Sequence, residues 1–415
     1  MIRSGLSPAE AAELILQSVT TMPVETVPLS AALGAILARD IVASVSIPPW
    51  RSSSMDGYAV RASDLVSLPR TLQVNGETVA GAPAAAPLPS GQAVKIMTGA
   101  PVPDGADTVI RVEDTDAGTD RVEIRAVRDR LRNVRPLGED FRDGDVLLAA
   151  GSRVTSAAIG VLASAGIAKV ETYRSPTVAI VASGDELVRV EQFSEVLDGR
   201  RIVSSNSYSL VALVREAGGL PRDGGLIPDD PRALSDAISA VMPCDLILTS
   251  GGVSVGERDF TRSVMTAMGA EIGFWRTRIR PGGPLAFATL DGRPWIGLPG
   301  NPVSAMITFE LFVRPALLRM RGESQVYSQC VPVTLDEDIT VSGDLTHYLR
   351  VIVEARGDAF HARLTGSQSS AVLTSMMRAN ALLIVPEGRP NHKAGDTLRA
   401  VPLGDSLSRT GIFPA

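Results

Sequence analysis

Between Pro176 and Pro315 the chain repeats one local pattern: a short apolar run that ends directly in a polar, glycine-bearing turn. The runs are 178–182, 246–249 and 295–298, and helical periodicity occupies 207–216 and 303–318. Strands alternating with helices cannot close as hairpins, so they predict a parallel-type α/β sheet with helices on both faces. The turns read Ser183-Gly184-Asp185-Glu186, Thr249-Ser250-Gly251-Gly252-Val253-Ser254 and Pro299-Gly300-Asn301-Pro302-Val303-Ser304. An open sheet of this kind binds ligands outside the carboxyl ends of its strands, which is where these turns fall.

Glycine lets a backbone approach a ligand closely, successive amides form an anion nest, and a following helix adds partial positive charge. The carboxylates Asp185, Glu186, Glu257 and Asp259 lie on the same loops. Carboxylates beside phosphate oxygens are the usual way to hold magnesium, so a nucleotide-like ligand with a divalent ion fits. One such loop is also what an ordinary tight turn uses; three at neighbouring strand ends point to a site. Neither a P-loop nor the glycine spacing of a dinucleotide fingerprint occurs. A rival reading is a serine hydrolase, because Gly252-Val253-Ser254-Val255-Gly256 matches a nucleophile elbow. Its triad would need a histidine, and His347, His361 and His392 all fall in the last fifth of the chain, in a segment that reads as separate β structure.

The rest of the 415 residues is organised around this unit. Ser7, Pro8 and Glu10 form a helix start with a capping box, and the helix is predicted to run to Val19. The paired prolines 48 and 49 mark a boundary, followed to about residue 144 by short β-type runs at 71–74, 93–96, 108–112 and 122–124. Residues 80–87 read as a small-residue loop. Thr155 or Ser156 is expected to cap a buried helix over 157–168 that leads into a strand. Past residue 326 the period is two again, predicting a small terminal β barrel or sandwich.

A net charge of −6 argues against a nucleic-acid partner, and the basic run 121–135 reads as a solvated face. Two cysteines, Cys244 and Cys330, support neither a disulfide framework nor a thiolate zinc site. Glu10 and Glu13 interrupt the first apolar segment as no signal peptide would, and no apolar stretch is long enough for a membrane span. A cytoplasmic protein without membrane partners is expected.

Two further clusters, Met55-Asp56-Gly57-Tyr58-Ala59 and Met97-Thr98-Gly99-Ala100-Pro101-Val102-Pro103, precede the α/β unit. Together with Ser183-Gly184-Asp185-Glu186-Leu187, the Ser250–Gly256 turn and Leu298-Pro299-Gly300-Asn301-Pro302-Val303-Ser304, they resemble the MoeA and gephyrin E-domain family of molybdopterin molybdenumtransferases. The resemblance spans nearly the whole chain.

It implies a discontinuous helical and extended domain (1–47 and 143–175), an inserted β domain (48–142), an α/β molybdopterin-binding domain (176–325) and a C-terminal β barrel (326–415). It also implies a homodimer whose site lies between the α/β domain of one subunit and the inserted domain of the other. The implied reaction takes adenylylated molybdopterin and molybdate with Mg2+, releases AMP and leaves molybdenum on the dithiolene. Asp56, Thr98, Glu186 and Asp259 would be catalytic, and Glu186, Asp229, Asp230 and Asp259 would position the metal. Gly184, Asp185, Ser250, Gly251, Gly252, Ser254, Pro299, Gly300, Asn301 and Ser304 would hold the nucleotide and pterin, and Arg280, Arg350 and Ser370 the molybdate. A molybdopterin adenylyltransferase is an expected partner. Where the family shows Lys-Pro-Gly-Lys-Pro, this chain has Arg280-Pro281-Gly282-Gly283-Pro284. The loss of the second cation leaves open a molybdopterin-binding paralogue or scaffold that does not insert metal.

Overall fold

The computed structural model describes residues 3–83, 85–252, 260–404 and 407. They form two compact units, one of residues 1–25 with 173–415 and the other of residues 26–172. Among the described residues no helix is long and apolar enough to cross a membrane.

The first unit is built on a sheet of strands β1 (Arg3–Leu6), β2 (Thr177–Ser183), β3 (Leu220–Ile227), β4 (Leu246–Ser250), β5 (Glu271–Thr277), β6 (Ala286–Leu290) and β7 (Arg293–Leu298). Their spatial order is β1-β5-β6-β7-β4-β2-β3. Every pairing is parallel except those of β6, which runs antiparallel to both neighbours. The sheet is therefore the expected parallel type with one reversed strand. β1 comes from the amino-terminal segment that the resemblance groups with 143–175; here it extends the α/β sheet through its pairing with β5.

Side chains alternate across the sheet, so the two faces carry separate cores. Val178, Ile180, Leu246, Leu248, Ile296 and Leu298 pack under helices α1 (Pro8–Ser18), α2 (Ser205–Glu216) and α5 (Pro302–Thr308). Ala179, Val181, Ile247 and Trp295 pack under α3 (Pro231–Ala240) and α4 (Thr261–Ala267). α1 begins with the predicted capping box: Ser7 accepts from the Glu10 amide, and Glu10 accepts from the Ser7 amide. The helical stretch expected over 303–318 passes from α5 through a π turn at Phe309–Val313 into a helix at Arg314–Met320. Pro315 withdraws one backbone donor there, and the wider turn absorbs the interruption.

Asp245, just before β4, ties the sheet to the preceding chain. It accepts from Arg174 in a two-pronged bond at 2.8 Å each and from the Thr177 amide and hydroxyl at 2.7 Å. Burial alone would raise its carboxyl, but these donors outweigh it and hold the group at about 2 instead of 3.8. A depressed folded value contributes stability above the unfolded value and loses it as pH falls from about 4 toward 2. Asp245→Asn is expected to lower the urea-unfolding free energy at pH 7 by about 2 kcal/mol. That penalty should shrink at pH 3; an equal penalty at both pH values would contradict the assignment.

The carboxyl-terminal part of this unit contains β8 (Val331–Leu335), β9 (Thr346–Arg356), β10 (Ala359–Leu364), β11 (Ala381–Val385) and β12 (Thr397–Pro402). Their order β9-β10-β8-β12-β11 is closed by pairing of β11 back onto β9, which makes a barrel.

The second unit carries a five-stranded sheet in the order Thr108–Arg111, Gly57–Val60, Gln92–Ile96, Arg70–Thr78 and Arg121–Ile124. Two expectations are corrected in it. The helix Ser156–Ser164, capped by Thr155, buries only Leu162 fully, so it is not the buried helix its composition suggests. The basic run 121–135 is not simply a solvated face: Asp129 is buried and takes a two-pronged bond from Arg111 at 2.7 and 2.9 Å, while buried Asp114 pairs with Arg128. Burying a carboxylate requires such a partner, and the arginines supply it.

Candidate active site at the strand ends

β2, β4 and β7 are adjacent and parallel, so the turns that follow them emerge side by side. They surround a cavity of about 630 Å³. Ser183, Gly184 and Glu186 come from the first turn, Ser250, Gly251 and Gly252 from the second, and Pro299, Gly300, Asn301 and Ser304 from the third. The turns touch: the Gly251 amide donates to the Leu298 carbonyl, and a Cβ built on Gly251 would lie 2.6 Å from the Ser183 carbonyl oxygen. Gly251 also has φ +94, so glycine is required there on both counts.

A fourth wall, absent from the sequence reading, is the start of α2. Ile202, Val203, Ser204, Ser205 and Asn206 line the cavity, and Leu187 and Pro284 complete its apolar side. The cap residue Ser204 makes no side-chain bond to the helix amides; its hydroxyl instead pairs with that of Ser207 at 2.7 Å. The first amides of α2 are thus left without a side-chain cap, as an anion site requires. Asn206 is buried, and its Nδ2 donates to Ser250 Oγ at 2.7 Å and to the Gly300 carbonyl at 2.9 Å. The polar cluster Ser204-Ser205-Asn206-Ser207 directly after an apolar pair was the signal available for this wall.

The acids separate into two groups. Glu186 and Asp229 both line the cavity. Asp185 does not; its Oδ1 accepts from the Asp229 amide at 3.1 Å and its carbonyl from Arg201. Asp230 is the N-cap of α3, its Oδ1 accepting from the Arg232 and Ala233 amides at 3.0 and 2.9 Å, and it does not line the cavity. Ser254, Glu257 and Asp259 lie outside the described residues. Among the described residues no cluster of three or more acids, histidines or cysteines forms a metal cage. Two carboxylates beside a phosphate-bearing ligand still meet magnesium's needs, because that ion takes one or two carboxylates and completes its shell with phosphate oxygens and water.

Of the expected molybdate residues, Arg350 lies within β9, Arg280 on a short strand beside it and Ser370 in the segment after β10. Ser370 accepts from Asn301 Nδ2 at 3.1 Å, its carbonyl accepts from the Val303 amide, and Ala371 lines the cavity. Arg350 is fully buried. Its guanidinium donates to Ser375 Oγ at 3.1 Å and to the Ser369 and Ser367 carbonyls at 3.0 and 3.4 Å, and Nη1 has no partner. No carboxylate contacts it among the described residues, and burial lowers its pKa to about 10. Arg280 is exposed at the end of the short strand Ile279–Arg280, which pairs with the start of β9, and it does not line the cavity. No histidine lines the cavity either. His347 bonds to Ser342, His361 to Asp336 and His392 to the Arg389 carbonyl, so the hydrolase reading lacks its base among the described residues.

In the second unit, the antiparallel register Gly57↔Ile96 brings the chain before Gly57 beside the chain after Ile96. Asp56 Oδ1 there accepts from the Thr98 amide and hydroxyl, both at 2.7 Å. Those bonds hold the exposed carboxyl below its ordinary range. Gly57 is fixed by packing, since a Cβ there would collide with the Ile110 carbonyl.

Three family models match the chain: the MoeA N-terminal region (domain I and II) over residues 6–166, a probable molybdopterin binding domain over 179–319, and the MoeA C-terminal region (domain IV) over 332–403. A molybdopterin molybdenumtransferase of Haemophilus influenzae is 35% identical over 386 residues, covering 91% of this chain and 94% of that one. One from a Nostoc species is 35% identical over 391 residues, covering 91% and 88%. The crystal structure of a molybdopterin biosynthesis moeA protein from Pyrococcus horikoshii superposes with a TM-score of 0.80 at 29% identity, covering 96% of this chain and all of that one.

Proposed function

Since the chain belongs to the MoeA family of molybdopterin molybdenumtransferases, enzymes of molybdenum cofactor biosynthesis that insert molybdate, we propose that its strand-end cavity holds adenylylated molybdopterin and that molybdate enters beside Ser370 and Arg350. The observation that carries this reading is the convergence of three glycine turns and an open helix start on one cavity, with Ser370 bonded to the third turn.

The chain's own groups divide the work. The amides of Gly251 and Gly252 and the start of α2 face developing negative charge on the phosphates. Glu186 and Asp229 would hold Mg2+, which when bound neutralises charge on phosphate oxygens. Net, the AMP phosphorus gains one oxygen as the phosphoanhydride bond breaks and AMP departs, while the two dithiolene sulfurs replace two molybdate oxygens, which are accounted for by the oxygen on AMP and one water formed with the two thiol protons. Arg350, Arg280 and the Ser370 hydroxyl suit a tetrahedral dianion, and an unmet Arg350 Nη1 is a donor awaiting an acceptor. Asp56 and Thr98 are proposed to serve the reaction from a second copy of the chain in a homodimer, and a molybdopterin adenylyltransferase to supply the substrate.

The missing second cation offers a test. A Cβ built at Gly283 meets nothing closer than the Ile279 carbonyl oxygen at 3.3 Å, and Gly283 does not need a positive φ. Gly283→Lys should therefore be accepted with a small backbone shift. The variant is expected to lower the molybdate concentration for half-maximal AMP release by roughly three- to tenfold. An unchanged titration would count against placing the oxyanion end at residues 280–284.

A further inference from the structure

We infer that Asn206 is a positioning residue: it locks the turns after β4 and β7 together and orients the Ser250 hydroxyl so that its proton is given to a phosphate oxygen of the ligand. This rests on the nucleotide reading above and concerns a residue that the reading does not use.

The donors and acceptors of each partner fix the orientation. The Gly300 carbonyl only accepts, so the amide of Asn206 must turn its NH2 toward it; the flipped amide would set two acceptors face to face. The second Nδ2 proton then goes to Ser250 Oγ at 2.7 Å. Since Ser250 accepts on that side, its own proton points elsewhere, and no acceptor among the described residues takes it. Ser250 itself lines the cavity. Only a neutral side chain with two N–H donors can bond a carbonyl and a hydroxyl oxygen at once; aspartate has no donor and serine is too short. The choice carries a cost, because Asn206 Oδ1 is buried without a partner. A side chain used only to fill space would leave no such acceptor unmet.

The test is AMP binding to the full chain by calorimetry at pH 8 and pH 5, each variant referred to wild type at the same pH. Glu186 and Asp229, the ionisable side chains among the described residues lining the same cavity, are present in both proteins. The phosphate of AMP is a dianion at pH 8 and mostly a monoanion at pH 5, so its repulsion by the new carboxylate is read separately from Asn206→Asp in a Ser250→Ala background, where no hydroxyl proton remains to be turned. The expected losses are those left after that part is removed. In Asn206→Asp at pH 8 the carboxylate accepts the Ser250 proton, turns it from the ligand and faces the Gly300 carbonyl. AMP affinity should fall roughly 100-fold. At pH 5 burial and the facing carbonyl keep the new carboxyl largely protonated, so it donates one bond and the loss should shrink to about tenfold. A ratio that does not change with pH would overturn the inference.

A second comparison does not depend on that variant folding. Asn206→Ala should weaken AMP binding about tenfold in the wild-type background and by twofold or less in a Ser250→Ala background. Equal effects in both backgrounds would show that Asn206 does not act through Ser250. Wild-type protein that binds AMP with these ratios flat overturns this inference alone; wild-type protein that does not bind AMP overturns the nucleotide reading with it.

Discussion

Arg350→Met is expected to reduce molybdate-dependent AMP release by at least about 100-fold while leaving AMP affinity and thermal stability nearly unchanged. The split follows from where the side chain sits. Arg350 is fully buried, bonded only to neutral acceptors and pushed down to about 10 by burial alone. A buried cation without a counter-charge is a net cost to the fold, and replacing such groups by apolar ones of similar size is often neutral or stabilising. Relief of that cost offsets the donors lost to Ser367 and Ser369, so the unfolding midpoint should stay within about 3 °C. If Arg350 were purely structural, the midpoint would fall sharply and AMP binding would fall with it. Molybdate titrations of AMP release, AMP calorimetry and a thermal scan on one preparation separate the two outcomes.

Gly251→Ala is the complementary case, acting at the end proposed to hold the nucleotide. The new Cβ would lie 2.6 Å from the Ser183 carbonyl oxygen, a backbone atom that cannot swing aside, and φ +94 is a conformation alanine resists. The first and second turns must then separate, and AMP affinity is expected to fall by roughly 100-fold or more. Gly225 supplies the control: its φ is +91, but a Cβ there meets nothing within 4 Å. Gly225→Ala should therefore show the stability loss of a strained alanine, about 1–2 kcal/mol, without the loss of AMP binding. Equal AMP affinities for the two variants would show that contact between the turns is not what shapes the site.

Much of this site can be read from local chemistry. The turns after 178–182, 246–249 and 295–298 carry their signal in consecutive residues, and period and glycine placement together locate them at strand ends. What could not be read has a common physical cause: it depends on contacts between distant segments. Asn206 looks like one more polar residue at a helix start until the fold sets it 2.7 Å from Ser250. The capping of helix α3 by Asp230 is equally hidden, since it depends on the helix starting just after it so that two amides reach one carboxylate oxygen. Asp129 reads as surface charge in a basic run until Arg111, at the end of its strand, bonds it. The reversed strand β6 is likewise invisible to a period-two pattern, which has no direction. The pairing of Asp56 with Thr98 is the instructive middle case, since each motif is visible alone but only the register of two strands joins them.

Coupling of adenylylated-pterin cleavage to molybdate capture is the property proposed for this chain. It is tested most directly by adding adenylylated molybdopterin and Mg2+ to the purified full-length protein and counting AMP released per pterin consumed, with and without molybdate. The expected result is stoichiometric AMP release that depends on molybdate and yields transferable molybdenum cofactor. AMP release indifferent to molybdate, or none at all, would contradict it.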